Sequence, residues 1–126
     1  MNVYLKVWKQ LVEMELKIEQ LTQGTKVDGM NLIQLHILDA LYCGGAQHAS
    51  ALARAVGRSA TSFTPILDRL EWQDLIERKA DPADRRAVFI HLTAEGEALR
   101  ETVQQVLVQF NEHFANGTVR QPVKSR

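Results

Sequence analysis

The spacing of the apolar residues changes at Leu75, and this change restricts the fold more than any other feature of the 126-residue chain. Upstream, in the segment Ser59–Gln73, Phe63, Ile66, Leu67 and Leu70 recur every three or four residues, the stripe of an amphipathic helix. Downstream, Ile76, Arg78 and Ala80, and then Val88, Ile90 and Leu92, alternate with their neighbours in the period of a strand. Between the alternating runs lies Asp81-Pro82-Ala83-Asp84-Arg85-Arg86, a polar turn-forming segment. The pattern predicts a helix followed by a two-stranded hairpin with a charged tip. Just before it, Ser50 is expected to cap a short helix, Ala51–Val56, whose Ala51, Ala53 and Ala55 permit close packing. Gly57 then opens a turn of about three residues before Ser59 starts the next helix, the layout of a helix-turn-helix.

Two long amphipathic stretches bracket this middle. In residues 3–23, Tyr4, Leu5, Trp8, Leu11, Val12 and Ile18 keep helical spacing until Thr22, Gly24, Thr25 and Gly29 break it. In residues 94–114, Leu99, Val103, Val106, Leu107, Phe110 and Phe114 do the same. Thr93 is the expected N-cap, with Glu95 and Glu97 in the first turn, where the helix dipole favours them. Asn116-Gly117 should end that helix and leave Thr118–Arg126 as a frayed tail. The segment Asn31–Tyr42 is apolar on most sides and reads as a buried helix. The chain therefore divides into an N-terminal helix (1–29), a central lobe (30–93), a C-terminal helix (94–115) and a tail (116–126).

Fifteen Lys and Arg balance fifteen Asp and Glu, so bulk positive charge cannot attract a polyanion. Any nucleic-acid partner must be met by locally placed groups. The single cysteine, Cys43, excludes an intrachain disulfide. There is no signal-peptide h-region and no run of about 18 apolar residues, so a cytoplasmic protein with no membrane partner is expected. GxSxG, P-loop and GxGxxG motifs are absent, and Asp81 and Asp84 have Arg85 and Arg86 beside them, so an enzyme is not expected. His36 and Cys43 share a helix face with His48 nearby, but no CxxC or HExxH spacing accompanies them. No metal or cofactor is expected, and Cys43 reads as a packed thiol.

On the helix Ser59–Gln73, the face opposite the apolar stripe carries Thr61, Ser62, Pro65, Asp68 and Arg69. Short hydroxyls near a helix start suit base edges and phosphates, and alone they would equally serve as caps. An Arg on a projecting tip suits a narrow minor groove, and alone it would equally be a solvated turn residue.

Together these elements resemble the winged helix-turn-helix core of MarR-type transcriptional regulators. The resemblance rests on Leu67-Asp68-Arg69-Leu70, Leu75-Ile76-Glu77-Arg78, Asp81-Pro82-x-Asp84-Arg85-Arg86 and Ile90-x-Leu92-Thr93-x-x-Gly96, in that order, and covers roughly residues 3–115. It implies a mainly α protein with a winged helix-turn-helix, a two-stranded β wing, and long N- and C-terminal dimerisation helices. It implies a homodimeric regulator of transcription, expected to be a repressor, on a pseudo-palindromic double-stranded operator. A small aromatic effector could release it. Carried over by position, the DNA-binding residues are Arg58, Ser59, Thr61, Ser62, Thr64, Arg69, Arg85 and Arg86, and Asp68 and Asp84 orient the wing. Pro65 departs from the pattern, standing where many members place a polar or basic contact, and a helix starting later, near Ser62, or a distorted first turn is expected. The large apolar residues of the terminal helices exceed what the small central lobe can cover. Tyr4, Trp8, Leu11, Val103, Phe110 and Phe114 are therefore expected at the dimer interface. The alternatives are a winged-helix protein-interaction module without DNA binding, or a zinc- or thiol-based sensor.

Overall fold

A computed structural model describes residues 2–117; the expected frayed tail, Thr118–Arg126, lies outside them. The chain packs around α2 (Leu32–Gly44), whose start is fixed by a capping box. The Asn31 side chain accepts the Gln34 N–H at 2.9 Å, and the Gln34 side chain accepts the Asn31 N–H at 2.9 Å. Gly45, at φ 76°, ends the helix in a conformation that disfavours a side chain. Leu35, Ile37, Leu38, Leu41 and Tyr42 are all buried, so α2 is covered by its neighbours on most sides.

The N-terminal bracket is α1 (Val3–Thr22), of which only Ile18 and Thr22 are buried. The C-terminal bracket, expected as one helix, is two: α5 (Ala94–Ala98) and α6 (Arg100–Gly117), joined at Leu99, whose ψ is −1°. The break has a physical cause in the docking of α5. Thr93 caps α5, accepting the Gly96 N–H at 3.0 Å, while its hydroxyl donates to the Asp74 carbonyl at 2.6 Å. The Tyr42 hydroxyl donates to the Gly96 carbonyl at 2.6 Å. Arg100 lies 4.9 Å over the Tyr42 ring, and burial pushes the Tyr42 phenol up to about 12. With α5 held on both sides, the chain turns at Leu99 to lay α6 along α1 and α2.

That turn decides which way α6 faces. Val103, Val106, Leu107 and Phe110 are buried in the chain's own core, and Phe114 is half-buried 4.8 Å from the Phe110 ring. Val103 and Phe110, expected on a dimer surface, are thus interior residues of the protomer. Tyr4, Trp8 and Leu11 are exposed on α1. Among the described residues, no helix is long and apolar enough to cross a membrane.

The wing has three antiparallel strands rather than two, in the order β1-β3-β2. β1 is Gln47–His48, β2 is Ile76–Asp81 and β3 is Asp84–Leu92. The expected six-residue polar loop is shorter: Pro82 and Ala83 alone join β2 to β3, so Arg85 and Arg86 belong to a strand. β1 leads directly into α3 (Ala49–Ala55), so Ser50 lies within that helix and His48 occupies its N-cap position. Gly57, at φ 73°, then turns the chain into α4 (Ala60–Trp72).

Gly96 sits where a side chain cannot. A Cβ there would fall 2.2 Å from the Leu75 carbonyl oxygen, a backbone atom that cannot move aside cheaply. Gly96→Ala should destabilise the fold by about 1–3 kcal/mol, read as a lower urea midpoint at unchanged m-value. An unchanged midpoint would mean that α5 is not held against β2.

Candidate nucleic-acid interface

Ser59 starts α4, and its side chain accepts the Ser62 N–H at 3.3 Å. Phe63, Leu67 and Leu70 are buried on the inner face, as the stripe predicts. Arg58, Ser59, Thr61, Ser62 and Thr64 are all exposed at or near the start of the helix, and Arg69 is exposed in its last turn. The hydroxyls are partly engaged within the helix: Ser62 donates to the Ser59 carbonyl at 3.3 Å, and Thr64 to the Ala60 carbonyl at 3.2 Å.

Pro65 does not delay the helix, which begins at Ala60 and runs through the proline. The cost falls on one carbonyl, which loses its donor and is crowded by the proline ring. The Thr61 carbonyl would receive the N–H that Pro65 lacks, and both residues are exposed, so water can replace it. Pro65→Ala restores that donor. The variant should gain about 1–2 kcal/mol in chemical denaturation, less than a full interior-proline penalty because the proline also restrains the unfolded chain. A loss of stability would contradict this account.

At the wing, Arg85 and Arg86 are exposed, and the Asp84 side chain accepts the Arg86 N–H at 3.1 Å. Asp84 thus fixes the backbone of Arg86. Asp68, expected to orient Arg86, is paired instead with Arg78 of β2, whose Nε also lies 3.5 Å from a Glu71 oxygen. The reason is spacing: Asp68 and Glu71 are three residues apart, hence on one face of α4, and β2 packs alongside that helix. Arg78, not among the expected site residues, ties α4 to the wing and leaves Arg86 free of Asp68.

His48 is the second group that the sequence did not place. Its Nε2 lies 2.8 Å from an Asp81 oxygen, and its ring stacks on Phe89 at 4.3 Å. The other Asp81 oxygen accepts the Ala83 N–H at 2.9 Å. The His48 bond first, and the Ala83 N–H second, hold the Asp81 carboxyl below the usual carboxylate range. Asp81 is then an acceptor only, so His48 Nε2 carries the proton and donates. His36 and Cys43 are exposed, so the thiol is not packed in the core; its sulfur lies 3.9 Å from an Asp39 oxygen. No group of three His, Cys, Asp or Glu side chains among the described residues could hold a metal ion.

Two concavities flank these groups. A cleft of about 260 Å³ between α3, α4 and β3 is lined by His48, Ala53, Phe63, Thr64, Arg86 and Val88. It brings the start of α4 and the wing arginine to one opening. A larger crevice, about 570 Å³, lies between α1 and the start of α2, with Leu11, Met14 and Ile18 on one side and Arg58 at its edge.

A helix-turn-helix whose second helix and wing open on one side defines a winged helix-turn-helix protein. Residues 30–88 match the model of the MarR family. The HTH-type transcriptional regulator MhqR of Bacillus subtilis (strain 168) is 34% identical over 68 residues, 54% of this chain and 47% of that one. The chain thus spans about half the length of the curated relatives it matches. Among solved structures, a MepR-like protein complexed with pseudoligands is 31% identical, with a TM-score of 0.68 over 92% of this chain and 77% of that chain. The transcriptional repressor CouR, bound to a 23-mer DNA duplex, shares the fold at 19% identity, with a TM-score of 0.77 over 94% and 81% of the two chains. The chain belongs to the MarR family.

Proposed function

We propose that this protein is a homodimeric, sequence-specific DNA-binding regulator of transcription, acting as a repressor. The observation that carries the reading is the shared opening of Thr64 and Arg86, which sets the exposed hydroxyls of α4 beside the wing arginine. In such an arrangement the first turns of α4 enter the major groove. Arg58, Ser59, Thr61, Ser62 and Thr64 reach bases and phosphates there, while Arg69 lies further along the helix. Arg86, with Arg85 beside it, enters the adjacent minor groove, where the negative potential is strongest. The likeness to MhqR, a transcriptional regulator, and to CouR, a transcriptional repressor bound to DNA, supports the same reading.

Dimerisation follows from α1. Tyr4 is 84% and Trp8 64% exposed, with Leu11 on the same face, an apolar surface larger than a lone protomer usually presents to water. A second copy would bury it and repeat the recognition elements about one DNA turn away. The crevice between α1 and α2 would hold a small aromatic effector, with its ring among Leu11, Met14 and Ile18. The reading is that of a cytoplasmic binding protein, not an enzyme.

The decisive experiment selects duplexes from a random DNA library with the full chain and follows binding of the selected sequence against salt. Specific binding that falls steeply with salt is the expected result. Selection of no sequence would favour a protein-interaction module, the reading that zero net charge supports. On the selected duplex, Arg86→Ala should lose roughly 1–3 kcal/mol of binding and lower the salt slope by about one, with unchanged thermal stability. Wild-type affinity in that variant would put the wing outside the groove. Light scattering should give about twice the 14.3 kDa protomer mass, and Trp8→Glu should lower it toward one protomer. A wild-type mass equal to one protomer would contradict the dimer.

A further inference from the structure

The wing needs a support that its backbone ladder does not supply. The register of β2 on β3 shifts between Ala80 and Asp81: Ala80 faces Val88 and Asp81 faces Asp84, so Arg85, Arg86 and Ala87 between them have no ladder partner on β2. Beyond that point only Pro82 and Ala83 separate it from the strand that carries Arg85 and Arg86. Beyond its pairing with Asp84, Asp81 is held by its side chain, bonded at one oxygen to Ala83 and at the other to His48.

His48 is well placed for this. It belongs to β1 and is the N-cap of α3, so its backbone is anchored in the helix-turn-helix. The strand order β1-β3-β2 sets β3 between His48 and Asp81, so their side chains bridge the two outer strands across the middle one. Phe89, the ladder partner of His48, supports the ring from below by stacking at 4.3 Å. The imidazole makes no capping bond to α3, which is the usual use of a polar N-cap side chain. The Asp81 side chain is 13% exposed and that of His48 41%, so the bond is covered on its carboxylate side.

We propose that His48 is a positioning residue for the wing: by bonding across β3 to Asp81 it fixes the two-residue turn, and with it Arg85 and Arg86, relative to α4. Its use on DNA rests on the reading of the chain as a DNA-binding protein, but the latch itself is a property of the free protein. His48 also lines the same cleft as Thr64 and Arg86, so the latch sits at the joint between the wing and the helix start.

The test has two arms. In the free full-length protein, His48→Leu keeps an apolar contact with Phe89 and removes the bond. NMR amide exchange at Ala83 and Arg86 should quicken about fivefold, while Leu67 and Leu70 in α4 keep their protection. His48→Gln, which can carry an amide N–H to about the place of Nε2, should restore most of the slow exchange. Unchanged rates at Ala83 and Arg86 in His48→Leu would overturn the proposal, as would an equal acceleration at Leu67 and Leu70, which would make the effect one of global stability. On a duplex selected by the wild-type protein, His48→Leu should bind about three- to tenfold more weakly. Hydroxyl-radical protection should be lost at the flanking minor grooves and kept at the central major grooves. Undiminished affinity and flanking protection would overturn the positioning role. If the wild-type protein selects no duplex, the DNA-binding reading falls and the exchange arm alone decides the latch.

Discussion

The lobe depends on the approach of two backbones, Gly96 of α5 and Leu75 at the start of the wing. Because Gly96 has no Cβ, the first turn of α5 lies directly on the Leu75 carbonyl, which also accepts the Thr93 N–H at 3.1 Å. Three parts of the chain meet there. α2 arrives through the Tyr42 hydroxyl, the end of α4 through the Asp74 carbonyl, and α6 through Arg100 over the Tyr42 ring. A side chain at position 96 would separate the C-terminal helices from the sheet. The junction thus sets both the direction of α6 and the base from which the wing projects.

The zero net charge acquires a different meaning once the cations are located. Arg78 and Arg100 are committed to carboxylates of the fold, Asp68 and Glu71 for one and Glu97 for the other. Arg58, Arg69, Arg85 and Arg86 are exposed around α4 and the wing. No overall field would draw a polyanion in from a distance, so the proposed binding rests on short-range placement of a few groups. Placement of that kind makes rigidity matter. An arginine on a wing that moves by an ångström or two loses the geometry that a long-range field would forgive. The wing is braced twice, by Arg78 against the outer face of α4 and by His48 across the sheet, and both braces use side chains far apart in sequence.

That distance explains what could be read from the sequence and what could not. α1, α2, α4 and the Gly57 turn were legible because each is encoded within one or two turns, by a stripe, a cap or a positive-φ glycine. β1 has two residues, too few for any period to show. The start of β3 has the pattern of a loop because Asp84, Arg85 and Arg86 are all exposed, and an exposed strand end does not alternate. The break at Leu99 has no local signal, since it follows from contacts that Gly96 makes with Leu75. The site hydroxyls and arginines were legible as types on a face. Their partners were not: Asp68 meets Arg78 and His48 meets Asp81, pairings that only the folded sheet brings about.

The apolar stripe of the C-terminal helix shows the same limit from the other side. Its spacing marks a buried face without saying whether the cover comes from this chain or another. Here α6 turns Val103, Val106, Leu107 and Phe110 inward, and each such side chain is worth about 1.5–3 kcal/mol to the protomer itself. Most of the exposed large apolar side chains lie on α1, Val3, Tyr4, Leu5, Val7, Trp8, Leu11 and Leu16, with Trp72 at the end of α4 and Val108 of α6 apart from them. A protomer built this way has its own core without a partner. Contact with a second copy would then fall chiefly on α1, the helix that walls the crevice beside Arg58. In the proposed dimer, its geometry and the placement of the helix-turn-helix would therefore be joined through one wall, and a ligand in the crevice would act on both.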